Sequence, residues 1–109
     1  LRAPPDALPP LKARVIAALR TVHDPEIPVN IYDLGLIYEL NADETSGTVH
    51  IKMTLTAPGC PVAQTFPATV EAAVEAVEGV EEAHVELVWD PKWTRDRISE
   101  AVKLQLRIL

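Results

Sequence analysis

The sequence predicts a small α/β (α+β) domain, a three-stranded mixed sheet in the order α-β-β-α-β with a short C-terminal helix and with the helices packed on the sheet. Three observations carry this reading. Two segments place apolar residues at helical spacing: Leu11, Val15, Ile16, Leu19 and Val22, then Val62, Phe66, Val70, Ala73, Val74 and Val77. Two others alternate as strands do: Val49, Ile51, Met53 and Leu55, then Ala83, Val85, Leu87 and Trp89. A third apolar run, Leu34 to Leu40, is joined to the first of these strands through Asn41-Ala42-Asp43-Glu44-Thr45-Ser46-Gly47, which is dense in turn formers. That connection makes an antiparallel hairpin.

The opening Leu1 to Pro10 holds four prolines and reads as an extended lead-in, with residues 11–109 forming a single domain. The first helix spans about Pro10 to Val22. It stops at His23-Asp24-Pro25, because proline displaces the residue before it from the helical region and cannot continue the ladder. Asp24 to Asp33 is an ordered loop, stiffened by Pro25 and Pro28, that leads into the first strand. After the second strand, Thr56-Ala57-Pro58-Gly59-Cys60-Pro61 breaks the pattern and the second helix follows, with Pro67 expected to kink its first turns or delay its start. Gly79 is a stop signal. The helix between the second and third strands is a crossover, which favours parallel neighbours. Beyond Asp90-Pro91-Lys92-Trp93-Thr94, the positions Ile98, Val102 and Leu106 predict a final short helix capped by Thr94 or Ser99.

With 109 residues and 48% apolar content the chain has the mass for one core. No apolar stretch approaches the roughly 20 residues of a bilayer span, and no secretory pattern opens the chain, so a soluble cytoplasmic protein is expected. The net charge of −6 is unevenly spread: residues 24 to 90 hold thirteen of the sixteen acids and one base, Lys52, while the flanks carry the other nine bases. An acidic centre repels phosphate backbones, which argues against a nucleic-acid partner. The sequence contains no CxxC pair, HExxH or glycine-rich phosphate loop.

Cys60 is the lone cysteine, which excludes an internal disulfide. It stands between Gly59 and Pro61 at a strand-to-helix junction. Amide hydrogens at a helix N-terminus favour thiolate over thiol, Gly59 removes bulk beside the sulfur, and Pro61 suits the first helical position. A buried inert cysteine is the competing reading, and spacing alone leaves both open. Asp24, Glu26 and Asp33 form a second cluster that could bind a hard cation or accept a proton, or else close turns and cap bends. His23, His50 and His84 read as surface residues. Trp89 and Trp93 read as core and tail-docking residues.

Three motifs occur in order: Asp24-Pro25-Glu26-Ile27-Pro28 with Ile31-Tyr32-Asp33-Leu34-Gly35-Leu36, then Met53-Thr54-Leu55-Thr56-Ala57-Pro58-Gly59-Cys60-Pro61, then Val88-Trp89-Asp90-Pro91-Lys92-Trp93-Thr94. Together they resemble the SufT-like and PaaD-like family of metal-sulfur cluster biosynthesis proteins, over about residues 11 to 106. The resemblance implies a maturation factor for iron-sulfur proteins, with Cys60 as the functional thiol and with Asp24, Glu26, Thr56 and Ala57 around it. It implies iron or an iron-sulfur cluster as a transient passenger rather than a resident cofactor. The implied partners are iron-sulfur assembly proteins, client apoproteins or a second copy of this chain.

Two features depart from the family pattern. Pro67 falls where relatives continue a helix, and the chain lacks the cysteine-rich C-terminal extension expected of the PaaD type, which favours the general cluster-assembly branch. An accessory factor for a phenylacetate-degrading oxygenase, or a protein interaction module without metal, remains the alternative. A thiol enzyme with His23 as base and Asp24 as orienter is a third, disfavoured because nothing places the imidazole at the sulfur. Protein-bound clusters use about four thiolates, so one cysteine per chain implies a Cys60 ligand shared between chains.

Overall fold

The computed structural model describes residues 10–24, 27–56 and 65–106. Helix α1 (Leu11–Leu19) is followed by strands β1 (Ile37–Asp43) and β2 (Thr48–Met53), helix α2 (Phe66–Glu75), strand β3 (Glu82–Leu87), a 3₁₀ turn at Arg95–Arg97 and helix α3 (Glu100–Leu106). The sheet order is β1-β2-β3, with β1 antiparallel and β3 parallel to the central β2. The expected mixed sheet and element order are therefore present. Most of the lead-in, residues 1–9, lies outside the described residues.

The alternation of β2 divides the sheet into two faces. Val49, Ile51 and Met53 point into the core with Ala83 of β3, against Leu11, Val15 and Leu19 of α1 and Phe66, Val70 and Val74 of α2. Each of these side chains other than Ala83 contributes about 1.5–3 kcal/mol on burial. The other face carries Glu39, Asn41, His50, Lys52, Glu82, His84 and Glu86, all exposed. His50 and His84, paired in register, stack with ring centroids 5.0 Å apart, and Glu82 hydrogen-bonds His84. All three histidines are on the surface, as expected.

Several boundaries differ from the sequence expectation, each for a local reason. α1 ends at Leu19 and not at Val22, because the bonds from Thr21 N to Ala18 O (3.0 Å) and from Val22 N to Leu19 O (3.2 Å) tighten the last turn. The Val22 carbonyl is then free to accept from Ile31 N at 2.9 Å. β1 begins at Ile37, three residues later than expected. Leu34, Gly35 and Leu36 instead turn back on the loop, donating to the carbonyls of Asn30, Tyr32 and Ile31. The strand makes up this length at its other end, where Asn41, Ala42 and Asp43 pair with His50, Val49 and Thr48. Alternation in β2 lapses after Met53, since Thr54 and Leu55 are both buried. Pro67 lies in the first turn of α2, where its missing donor breaks no bond. Val62 lies outside the described residues. Ser99 caps α3 as expected, its hydroxyl accepting from Val102 N at 3.4 Å.

Side chains close several backbone ends. Arg14 of α1 donates from Nη1 to the Glu78 carbonyl just past α2 at 2.8 Å, and Glu71 of α2 accepts the Val85 N–H of the edge strand β3 at 3.0 Å. In the hairpin turn, Asp43 accepts from Thr45 N (2.9 Å) and Ser46 N (3.3 Å). These backbone bonds hold the Asp43 carboxyl below its ordinary range, against a small opposing effect of desolvation. A lowered folded value means that the ionised form is the one the fold favours. Its stabilisation is present above the ordinary carboxylate pKa and is lost as pH falls through the lowered one. Urea midpoints of wild type and Asp43→Ala should therefore differ at about pH 7 and converge at about pH 2.

Candidate functional site

The loop between α1 and β1 is held by main-chain bonds before any functional side chain is considered. A bridge pairs His23 with Asn30, and Asp24 N donates to Val29 O at 3.0 Å. Val29 and Ile31 bury their side chains in the core on the far side of this pairing. Asp24 is thereby drawn inward to 6% exposure. Its Oδ2 accepts from Ile27 N at 2.7 Å, which closes the loop as an aspartate-led turn.

The second wall comes from the continuation of β2. Thr54 N donates to Leu36 O at 2.9 Å, which carries the chain past the strand end as Thr54 and Leu55 bury themselves. Thr56 emerges opposite Asp24. Its hydroxyl lies 3.4 Å from Asp24 Oδ2 and 3.5 Å from Oδ1, a long contact across 32 residues of sequence. Asp24 and Thr56 are therefore in contact, while their expected place around Cys60 falls on residues that are not described. Glu26, Ala57 and Cys60 lie outside the described residues.

Asp33 does not join this group. Asn30 donates to its carboxylate at 3.0 Å and Arg20 Nε stands 3.5 Å away, so it serves the loop rather than the site. Arg20 also lies over the Tyr32 ring, 5.1 Å from its centroid. His23 is exposed beside Asp24. Among the described residues, no three carboxylate, imidazole or thiol groups converge to hold a metal. The described part of the site thus offers oxygen donors alone, one buried carboxylate and one hydroxyl.

The segment after β3 supplies a feature that the sequence reading missed. Trp93 docks the tail as expected: its indole N–H donates to Leu34 O at 2.7 Å. Tyr38 helps, its hydroxyl donating to Pro91 O at 2.7 Å while Arg97 lies over its ring at 4.4 Å. Burial pushes the Tyr38 phenol above its ordinary pKa, and the Arg97 charge opposes that shift. Trp89, however, is not a core residue. It is 43% exposed, because β3 ends at Leu87 and the inward phase does not extend two residues further. Trp89, Lys92 and Trp93 instead form, with Thr54, Leu55 and Thr56, a cleft of about 230 Å³. The run Trp89-Asp90-Pro91-Lys92-Trp93-Thr94 is its signal in the sequence.

The fold and this site define a small two-layer α+β domain, with a buried carboxylate and a hydroxyl brought together beyond the end of its central strand, next to an aromatic cleft. A family model described as iron-sulfur cluster assembly protein matches residues 12–87. Three relatives carry the name Fe-S protein maturation auxiliary factor. The one from Porphyromonas gingivalis is 46% identical over 95 residues, covering 87% of this chain and 90% of that protein. YitW of Bacillus subtilis is 43% identical over 98 residues (90% and 95%), and SufT of Staphylococcus aureus is 34% identical over 87 residues (80% and 98%). A solved structure described as a domain of unknown function, DUF59, from Bacillus anthracis superposes with a TM-score of 0.81 at 37% identity, covering 91% of this chain and 93% of that one. The chain belongs to the iron-sulfur cluster assembly protein family, and the SufT-like resemblance read from its motifs is correct. Among the described residues, no helix is long and apolar enough to cross a membrane.

Proposed function

We propose that this protein is a non-catalytic, cytoplasmic maturation factor that carries iron or an iron-sulfur cluster transiently, with Cys60 as its thiolate ligand. Asp24, Glu26, Thr56 and Ala57 are the neighbours of that thiol. The observation that supports this reading best is the contact between Asp24 and Thr56. It ties the α1–β1 loop to the residue from which the chain runs on, within four positions, to Cys60. Asp24 would supply an oxygen donor or take the proton released when the thiol binds metal.

Ligand arithmetic makes the cargo labile. One cysteine per chain leaves a cluster short of about three thiolates. A second copy of the chain adds one, and an assembly protein, a client apoprotein or a small thiol must complete the shell. A factor that has to release its cargo is well served by such a shell.

Anaerobic reconstitution with iron and sulfide tests this, read by visible absorption and iron content. Wild type should acquire a chromophore that a mild chelator removes quickly, and Cys60→Ala should acquire none. A chelator-resistant cluster on a strict monomer, or a chromophore that survives Cys60→Ala, would overturn the mechanism. A pure interaction module would bind assembly proteins equally well with Cys60→Ser and retain no iron.

A further inference from the structure

The cleft beyond β3 is more specific than a solvated groove. Two indoles, Trp89 and Trp93, contribute to its walls, and Leu55 adds apolar surface. Thr54, at 1% exposure, and Thr56 complete the lining. Lys92, exposed and also lining it, has no ion pair among the described residues. An ammonium group without an ion pair among the described residues is thus presented together with aromatic surface. The charges that compete for an anion here are Asp90, exposed two residues before Lys92, and Asp24, which is already engaged by Ile27 N–H and Thr56.

The geometry points to this cleft as the binding site for a small thiol that bears a carboxylate, the non-protein source of sulfur ligands for the cargo carried at Cys60. This rests on the carrier reading above for the use made of the thiol, but not for its binding. Each part of such a ligand has a counterpart in the cleft. The carboxylate meets Lys92 in a charge-assisted contact, strengthened by the apolar walls. Sulfur makes favourable contacts with aromatic rings, which Trp89 and Trp93 provide. The volume of about 230 Å³ is below the roughly 300–1,000 Å³ of sites for drug-sized ligands, which limits the occupant to about the size of an amino acid. The cleft includes Thr56, and Cys60 follows it four positions later in the chain, a reach of at most about 14 Å.

The test uses N-acetylcysteine as probe and the full chain carrying Cys60→Ala, without iron and under anaerobic conditions, so that neither a mixed disulfide nor a cluster contributes. The readout is the indole N–H resonance of Trp89 in ¹⁵N spectra, with Trp89→Ala identifying the peak. A ligand of this size should bind with a Kd of about a millimolar. The shift should saturate, Lys92→Ala should weaken binding at least about fivefold, and N-acetylcysteine amide, which lacks the carboxylate, should bind as weakly to wild-type Lys92 as the acid does to the variant. N-acetylalanine, without sulfur, should bind more weakly than N-acetylcysteine. Equal affinity in Lys92→Ala, equal affinity for the amide or for N-acetylalanine, or a shift that does not saturate would overturn the proposal. Because iron is absent, failure here leaves the carrier reading standing. Conversely, saturable binding with no chromophore in reconstituted wild type would leave the cleft assigned and remove the carrier.

Discussion

Gly35→Ala is expected to lower stability by about 3 kcal/mol, a fall in Tm of roughly 15 °C for a domain of this size. Gly35 has a φ of +77°, in the left-handed region that a side chain disfavours, and an added Cβ would stand 2.3 Å from the Arg97 carbonyl oxygen and 2.8 Å from Arg97 Cβ. The obstructing group is backbone, and its neighbours hold it in place. Ser99 N donates to Asp33 O at 3.0 Å, Ile98 N donates to Arg95 O at 3.1 Å, and Ile98 is buried in the core. Relief requires the 3₁₀ turn and α3 to move away from the start of β1. Denaturant unfolding measures the loss. Loss of hydrogen-exchange protection at Ser99 N and Lys103 N distinguishes detachment of the tail from a uniform weakening of the domain. A midpoint within about 0.5 kcal/mol of wild type would show that the close approach is not rigid.

Asp24→Ala is expected to cost about 2 kcal/mol, because it removes the acceptor of the Ile27 N–H and of the Thr56 hydroxyl at a site with almost no access to water. Asp24→Asn should cost less, since one amide oxygen can still accept from Ile27 N. Comparing the two variants by urea titration separates loss of the acceptor from loss of charge. Equal destabilisation by both would mean that the charge, not the turn, is what the loop requires. In either variant the Ile27 amide should exchange faster, whereas amides of the β2–β3 ladder should change only with global stability.

Much of this architecture was legible in the residue pattern. Leu11, Val15 and Leu19, or Phe66, Val70 and Val74, recur at helical spacing, and each triplet is buried as that spacing requires. Val49, Ile51 and Met53 alternate with His50 and Lys52, and the sheet faces divide accordingly. The turn at Asp43 to Gly47 joins the hairpin, and the helical crossover to β3 ends in a parallel pair. The family, too, was legible in three ordered motifs. Periodicity and turn chemistry are local properties, and a short window of sequence contains them whole.

The tertiary structure alone decided the features that depend on distant partners. Leu34 to Leu36 are apolar enough for a strand, yet they turn back on the loop, with Gly35 at φ +77° packed close against Arg97. Asp24 could have been a solvated turn residue, and only the arrival of Thr56, 32 positions later, gives its buried carboxylate a side-chain contact across the fold. Trp89 shares the inward phase of β3 but leaves the core because pairing of the strand stops at Leu87 with Met53. Trp93 reaches Leu34 across 59 residues, and Tyr38 reaches Pro91 across 53. None of these contacts is written in a local repeat. They form when the ends of β2 and β3, the α1–β1 loop and the tail meet at one place, so the cleft and the buried carboxylate exist only in the assembled chain.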